Sequence, residues 1–490
     1  MESTPPDYLS SVPDPIADHE KVREALALIG QDAAAYLAAV DSAPVRPPSK
    51  GDGPSPEMPG HGIGTMAALG QLVELAADGA TRSAGPRFFH FVMGGTTPAA
   101  LGADWLTSTL DQVAFNWVSS PFAARIEQIS LDWLKSMFGL PAEWSGVTVT
   151  GATAANLVGL ASARRWWGLE HGVDVDAAGL SGLPSMPMFS SGYLHASAVK
   201  ALGILGLGRQ TPKVLTRDQA GRLDAPALER ALKALDGAPA VLIATAGDVN
   251  SGDFDPIAEM AALAEKHRAW LHVDGAFGLF AALSPKTRHL VAGIERAHSV
   301  AVNGHKWLNV PYDTGFAFVR NSATHAGAFT AGAAYLGTEQ HSRPVFGFLG
   351  PEMSRRARAI PVWATLRAYG LDGYRAMVER HLALAQRVAA QVDGSPDLER
   401  LSDVHLNVVC FRYHPPGLAE AELDDLNRKL GAAVLEDGRV YFGTTEYAGK
   451  VAFRPAIVNW RTREEDVDLI VQVTRELGAK LLPNKKASRT

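Results

Sequence analysis

Cysteine is almost absent from this chain of 490 residues, which contains only Cys410. A single cysteine cannot form a disulfide within the chain, and no Cys-X-X-Cys or Cys/His spacing of a zinc site is present. Cys410 lies in the apolar run LNVVCF, which is typical of a buried strand. The sequence therefore excludes a disulfide-stapled scaffold and a cysteine-ligated metal site.

Long hydrophobic runs and basic patches are missing as well. No stretch reaches the roughly 18 apolar residues of a membrane-spanning helix, and the start MESTPPDYLSSVPDP lacks the apolar segment of a secretory signal. The formal net charge is −6, without the stripe of lysine and arginine that nucleic-acid binding requires. These absences predict a cytoplasmic protein that binds neither membranes nor nucleic acids.

Apolar residues, by contrast, make up 47% of the chain, enough for two or three packed units. Residues 1–85 predict an N-terminal helical arm with a Pro/Gly/Ser-rich stretch. Residues 86–372 alternate short apolar strands with amphipathic helices, which predicts a large α/β domain around a mostly parallel sheet. Residues 373–490 predict a small C-terminal α+β domain.

Polar residues follow several of the predicted strands. Parallel sheets bind ligands beyond the carboxyl ends of their strands. GATAAN follows the strand GVTVT, Asp274 follows WLHV, and His305 and Lys306 follow SVAVNG, while His195 begins another helix. Each has an ordinary alternative: a helix cap, a turn cap or a structural histidine.

Taken together, these residues define one chemical requirement. A helix N-terminus binds an anion, a buried carboxylate needs a cationic partner, and a buried lysine has a lowered pKa that favours nucleophilic attack. Pyridoxal 5′-phosphate (PLP) has a phosphate, a protonatable ring nitrogen and an aldehyde, so it would use all of them. The sequence therefore predicts a PLP site in which Lys306 binds the cofactor covalently.

The amino-acid sequences of several motifs resemble those of a known family. From about residue 60 to 475 the chain resembles the group II PLP-dependent amino-acid decarboxylases, a family that includes aromatic-amino-acid and glutamate decarboxylases. The motifs that carry the resemblance are GGTTPAALGADWL, GATAANL, HASAVKALG, HVDGAFG, NGHKWLNVPYDTG and SRRARAIPVW. The resemblance implies an aspartate-aminotransferase-like fold (PLP fold type I) with a seven-stranded-type sheet. It also implies a homodimer with active sites at the subunit interface.

The resemblance further implies roles for individual residues. Lys306 would hold the cofactor, Asp274 would pair with the ring nitrogen, and His195 would stack on the ring. The other implied cofactor contacts, which include the phosphate ligands, are Ala152, Thr153, Thr245, Ala276, Asn303 and His305. Thr96 and Thr97 are candidates for the substrate carboxylate by analogy with the family, and Arg454 is a weaker one.

Two departures from the family pattern bear on the reaction. Many members have Gly-Thr-Thr where this chain has Gly247-Asp248-Val249. Relatives that decarboxylate aromatic amino acids carry a tyrosine in a mobile loop, whereas residues 336–356 contain none and have Phe346 and Phe348 instead. His341 lies in the same segment and titrates near neutral pH, so we predict that it donates the final proton.

The predicted function is decarboxylation of an L-amino acid, aromatic or bulky and apolar, to the amine and carbon dioxide. One alternative is another PLP enzyme of the same fold, such as an aldehyde synthase or a carbon–carbon lyase, which the missing tyrosine favours. A non-catalytic relative of the fold is the other alternative. The intact set of Lys306, Asp274 and His195 argues against it.

Overall fold

The computed structural model describes residues 15–16, 18–46, 56–331 and 343–482. Its centre is a seven-stranded sheet with strand order β1-β7-β6-β5-β4-β2-β3. In this sheet β7 runs antiparallel to both neighbours, while the pairs formed among β2 to β6 are parallel. The strands are β1 (Ser145–Val149), β2 (Met188–Ser190), β3 (Lys213–Val214), β4 (Ala240–Thr245), β5 (Ala269–Asp274), β6 (Ser299–Asn303) and β7 (Gly315–Val319).

The register of the central strands brings their carboxyl ends together. Strands β4, β5 and β6 are buried along their whole length, which explains their near-continuous apolar sequences. Thr245 at the end of β4 pairs with Asp274 at the end of β5, and Asp274 pairs with Ala301 of β6. The predicted mostly parallel α/β sheet is confirmed, and its polar strand ends lie at one edge.

Helices cover this sheet. Helix α5 packs against β5, β6 and β7, and α9 packs against β4 and β5. The helices up to this point of the chain are α1 (Val22–Ala39), α2 (Thr65–Gly79), α3 (Pro98–Leu110), α4 (Pro121–Phe138), α5 (Ala152–Glu170), α6 (Val175–Ala178), α7 (Ala196–Ile204), α8 (Ala225–Lys233), α9 (Ile257–Lys266) and α10 (Ser322–Gly327).

A second, antiparallel sheet with its own apolar core follows in the chain. Its strand order is β10-β11-β9-β8, and α12 and α13 pack together beside it. These elements are α11 (Ala359–Asp393), β8 (Leu398–Arg400), β9 (Phe411–Tyr413), α12 (Glu420–Asp437), β10 (Thr444–Tyr447), β11 (Lys450–Phe453) and α13 (Glu464–Leu481). The two α11 segments meet at Gly370, whose φ is 60°. The predicted domain boundary at 372/373 lies just beyond this kink, and we retain the division at residues 85 and 372 as a proposal.

The N-terminal helices differ from the rest of the fold because α1 and α2 contain no buried residue. Apolar side chains on both are open to solvent: Val22 is 58% exposed, Leu26 55% and Leu72 58%. An apolar face is therefore left uncovered by the part of the chain that the structure describes. Among the helices of the described part of the chain, none is long and apolar enough to cross a membrane.

Candidate active site

Lys306 lies in the turn after β6, in front of the fully buried Trp307 and Leu308. Its Nζ atom is 5.4 Å from the centroid of the Phe277 ring. Burial lowers the pKa of Lys306 to about 8, although the negative charge of Asp274 opposes the shift. A larger fraction of this amine is neutral near pH 7 than in an ordinary lysine, which favours nucleophilic attack on an aldehyde.

Asp274 ends β5 as a buried carboxylate, 4% exposed. Its Oδ2 accepts a hydrogen bond from Asn156 Nδ2 at 2.8 Å, and its Oδ1 accepts one from the Ala276 N–H at 3.1 Å. Within the described ranges, no lysine, arginine or histidine nitrogen forms an ion pair with it. A buried carboxylate with only neutral donors has the capacity to bind a protonated ring nitrogen.

His195 is the N-cap residue of α7. Its Nδ1 accepts a hydrogen bond from the Ser197 N–H at 3.1 Å and lies 2.7 Å from Ser197 Oγ. Burial lowers the pKa of His195, with Asp274 opposing and Lys306 adding to the shift. The ring is therefore neutral at pH 7, as suits a flat surface that stacks on an aromatic ligand.

The start of α5 offers free donors to an anion. Gly151, with a φ of 138°, leads from β1 into the helix, and the first helical bond runs from Ala155 N–H to its carbonyl. No side chain caps this end, so the N–H groups of residues 152–154 have no intrahelical partner. A helix N-terminus in this state binds phosphate well.

Two side chains complete this end of the site. The Oδ1 atom of Asn303 is buried without a hydrogen-bond partner among the described residues. His305 accepts the Thr314 N–H on Nδ1 at 3.1 Å and stacks on Tyr312 with ring centroids 4.0 Å apart. Burial, together with the charge of Lys306, lowers the pKa of His305 to about 4. Its ring is neutral, so Nε2 carries the proton and can donate to an anion.

A cavity of about 310 Å³ connects these groups, a volume at the lower end for small-molecule sites. Six of the residues predicted for the site line it: Ala152, Thr153, His195, Asn303, His305 and Lys306. Asp274, Ala276 and Thr245 are buried at the strand ends, where the Thr245 hydroxyl donates to the Tyr193 carbonyl at 3.1 Å. His341 lies outside the described residues, so its role stays a prediction.

Residues that were not assigned to the site from the motifs, or only weakly, also line the cavity. Phe91, Ser197 and Val249 were not predicted, and Arg454 was only a weak candidate. The Arg454 Nη1 atom is buried without a hydrogen-bond partner among the described residues. Asn156, one helical turn into α5, belongs to the GATAANL motif, but its contact with Asp274 was not predicted because the motif does not show what its side chain faces.

The structure places four further residues that were considered from the sequence. Thr97 caps α3, and its hydroxyl oxygen lies 2.8 Å from that of Thr365. Neither Thr97 nor Thr96 is among the residues that line this cavity, so their role in binding the substrate carboxylate stays a prediction. Phe346, expected in a mobile loop, is 1% exposed in the core. Phe348 packs edge-on against Phe115, with ring centroids 5.4 Å apart.

The donor set fits PLP. The amine of Lys306 suits the aldehyde, Asp274 suits the ring nitrogen, and the neutral ring of His195 suits one face of the pyridine. The free N–H groups at the start of α5 suit the phosphate. The residues present thus match the parts of this cofactor.

Comparisons with known proteins agree with the site. The Pyridoxal-dependent decarboxylase conserved domain matches residues 65–414. Aromatic-L-amino-acid decarboxylase of Bacillus atrophaeus is 32% identical over 400 residues, which cover 80% of this chain and 81% of that protein. Phenylacetaldehyde synthase of Arabidopsis thaliana is 28% identical, covering 82% of this chain and 84% of that protein.

The solved structures agree with the sequence relatives. Oryza sativa TDC with PLP and tryptamine has a TM-score of 0.87 at 25% identity, covering 95% of this chain and 99% of that one. The predicted fold type and cofactor are thereby confirmed. The chain belongs to the pyridoxal-dependent decarboxylase family, and it is a carboxy-lyase that uses PLP.

Proposed function

We propose that the enzyme removes the α-carboxylate of an aromatic L-amino acid and releases the amine and carbon dioxide. The observation that carries the proposal is one cavity that joins the Lys306 amine and the His195 ring to the apolar side chains of Phe91 and Val249. Phe91 is 59% exposed, so its ring is free to contact a flat substrate side chain. The aromatic-amino-acid decarboxylase relative supports the same substrate class.

We assign the following roles to the chain's own residues. Lys306 holds the cofactor covalently, Asp274 keeps a proton on the ring nitrogen, and His195 covers one face of the ring. The phosphate is held by the start of α5 at Ala152 and Thr153, together with Asn303 and His305, while Thr245 and Ala276 flank the ring. When bound, PLP supplies the electron sink that makes loss of the carboxylate possible.

Arg454 is our candidate for binding the substrate carboxylate. Burial lowers its pKa, with the charge of Asp248 opposing the shift, and its unpartnered Nη1 atom is available to a carboxylate oxygen. A single guanidinium beside the cavity serves one carboxylate. Together with the apolar side chains of Phe91 and Val249, this favours an aromatic substrate over glutamate.

A screen of amino acids for carbon dioxide release tests this substrate class. We expect at least one of tryptophan, tyrosine and phenylalanine to give kcat/KM about 100-fold above that of glutamate, because a second carboxylate would be desolvated without a partner. A preference for glutamate or aspartate would contradict the proposal.

Oxidative conversion to an aldehyde is the second candidate. The observation that favours it is the absence of tyrosine between residues 336 and 356, and one relative is named a phenylacetaldehyde synthase. We favour the amine because His341 lies in the same segment and its imidazole can donate a proton near neutral pH. Oxygen uptake measured beside amine formation distinguishes the two products.

We further propose that the enzyme is a homodimer with active sites at the subunit interface. The uncovered apolar side chains of α1 and α2, which include Val22, Leu26 and Leu72, support this. Such a face is stable when another copy of the chain covers it. We also propose a cytoplasmic location, consistent with a single cysteine, which cell fractionation would test.

Deletion of residues 1–85 is expected to give insoluble protein, or a monomer with at least about tenfold lower turnover, because the helices proposed to contact the other subunit are lost. Size-exclusion chromatography with light scattering measures the mass of the full chain and of the truncated one. A soluble, fully active monomer from either would contradict the dimer proposal.

A further inference from the structure

A chain of hydrogen bonds runs beneath the cavity from Trp270 in the sheet to His195. Its members are Trp270, Ser299, His272, Asn156, Ser197 and His195, with Asp274 as a branch. Asn156, His272 and Ser299 are fully buried, at 0% exposure. A β-carbon at position 159 would lie 2.5 Å from the His272 ring, so Gly159 leaves α5 the room that this imidazole needs.

The direction of each bond follows from the groups that can only donate or only accept. The indole Nε1–H of Trp270 can only donate, and it lies 2.9 Å from Ser299 Oγ. Ser299 Oγ lies 2.8 Å from His272 Nδ1 and 3.5 Å from the Gly159 carbonyl oxygen. Its hydroxyl donates to the nearer Nδ1 because His272 Nε2 faces the Asn156 amide oxygen and must carry the ring proton. Burial lowers the pKa of His272 to about 4, so the ring is neutral and its proton is on Nε2.

The Asp274 carboxylate sets the orientation of the Asn156 amide, because its oxygen accepts and the amide nitrogen must therefore face it. His272 Nε2 lies 2.9 Å from Asn156 Oδ1, so the amide oxygen faces His272 and the amide nitrogen faces the site. Asn156 Nδ2 donates to Asp274 Oδ2 at 2.8 Å and to Ser197 Oγ at 3.1 Å. One amide group thus donates to two side chains that serve the cavity.

The series of hydrogen bonds ends at the ring of His195. Ser197 Oγ accepts from Asn156 and lies 2.7 Å from His195 Nδ1, and its hydroxyl donates to Nδ1 because a backbone N–H also donates to that nitrogen. The Ser197 N–H donates to the same Nδ1 at 3.1 Å. Nδ1 is therefore the acceptor, and the proton of the neutral ring is on Nε2, which has no partner among the described residues.

We propose that Asn156 is a positioning residue, held in place by His272, which holds His195 with its Nε2–H free for the cavity and holds Asp274 as an acceptor. The inference rests on the function proposed above for His195 and Asp274. Its consequence is that this wall of the cavity presents a hydrogen-bond donor, which suits a substrate carboxylate.

NMR of the histidine rings tests the proposed direction of these hydrogen bonds and needs no activity assay. The full chain, labelled with 15N-histidine, is recorded with and without PLP, and long-range 1H–15N correlations identify which ring nitrogen carries the proton. His195→Gln and His272→Gln assign the two signals. We expect both rings to be neutral with the proton on Nε2 at pH 7, and an Nδ1–H form of either ring would overturn the proposal. This result stays readable even if the enzyme's substrate class proves different.

Two substitutions of His272 separate positioning from packing. Gln at 272 keeps an N–H near the place of Nε2 and should retain at least a third of the wild-type kcat. Asn at 272 leaves Asn156 Oδ1 without its donor and should lower kcat about 10- to 100-fold, with little change in KM. Thermal melting compares the stability of the two variants. Equal losses of kcat in both would show that only packing matters and would overturn the proposal.

His325→Gln is the matched control. His325 is also fully buried, and its ring bonds Ser145 Oγ at 2.8 Å and the Leu349 carbonyl at 2.7 Å, away from the cavity. We expect its kcat to stay within twofold of wild type. A tenfold loss here would mean that any buried histidine substitution impairs the enzyme, and would also contradict a specific role for His272.

Discussion

Lys306→Ala is expected to lose turnover by at least about 10³-fold, because the variant has no amine at the cavity to bind the cofactor covalently. Borohydride reduction followed by peptide mass analysis should find a pyridoxyl group on Lys306 in the wild type and none in the variant. Lys213→Ala is the control, since this exposed lysine on β3 lies outside the cavity lining. A wild-type enzyme without the modification at Lys306 would contradict the assignment.

The pH dependence of covalent PLP attachment gives a second test of the role of Lys306. The amine of Lys306 has a pKa lowered to about 8 by burial, and only the neutral amine attacks an aldehyde. The rate of covalent attachment of PLP to the cofactor-free enzyme should therefore rise up to about pH 8 and then level off. Stopped-flow absorbance measures this rate, and an increase that continues past pH 10 would indicate an unperturbed lysine.

Asp274→Asn is expected to bind PLP but to lower kcat about 10²-fold. At about 3 Å and an effective dielectric constant near 20, the ion pair with a protonated ring nitrogen gains roughly 5 kcal/mol before desolvation. Even half of that would change the ring pKa by about two units. Asparagine keeps the shape and can still accept the Asn156 hydrogen bond, but its amide nitrogen then faces the Ala276 N–H, so the loss of turnover combines the lost charge with one lost backbone hydrogen bond.

Asp224→Asn is the control for this charge removal. Asp224 caps α8 by accepting the Ala227 N–H at 2.8 Å, and asparagine caps a helix equally well. The absorbance spectrum shows whether each variant retains the cofactor, and single-turnover kinetics measure the reaction step. An Asp274→Asn enzyme with more than half the wild-type turnover would exclude the proposed role.

Much of the sheet was predictable because parallel strands buried on both faces leave near-continuous apolar runs. Strand ends then indicated where Asp274, His305 and Lys306 would lie. Motif analogy did not reveal that Thr97 caps α3 and contacts Thr365, and the assignment of Thr96 and Thr97 to the substrate carboxylate stays a prediction. Motif position alone cannot show which way a hydroxyl points.

Other parts of the site depend on long-range packing that no local pattern encodes. Arg454 follows β11 of the second sheet, yet it lines the same cavity as Lys306. Asn156 is 118 residues from Asp274 in sequence, and their contact arises only when α5 packs across β5. Their site roles require the folded arrangement, whereas Lys306 could be recognised from its motif.

Product analysis with a carboxyl-labelled aromatic L-amino acid shows whether the enzyme forms the amine. Labelled carbon dioxide, amine, aldehyde, ammonia and oxygen uptake are measured together for the wild type and for Lys306→Ala. We expect the wild type to release one molecule of carbon dioxide and one of amine per substrate molecule consumed, without oxygen uptake. Lys306→Ala should give no product. Carbon dioxide with stoichiometric oxygen uptake, aldehyde and ammonia in place of amine would contradict the proposed formation of amine.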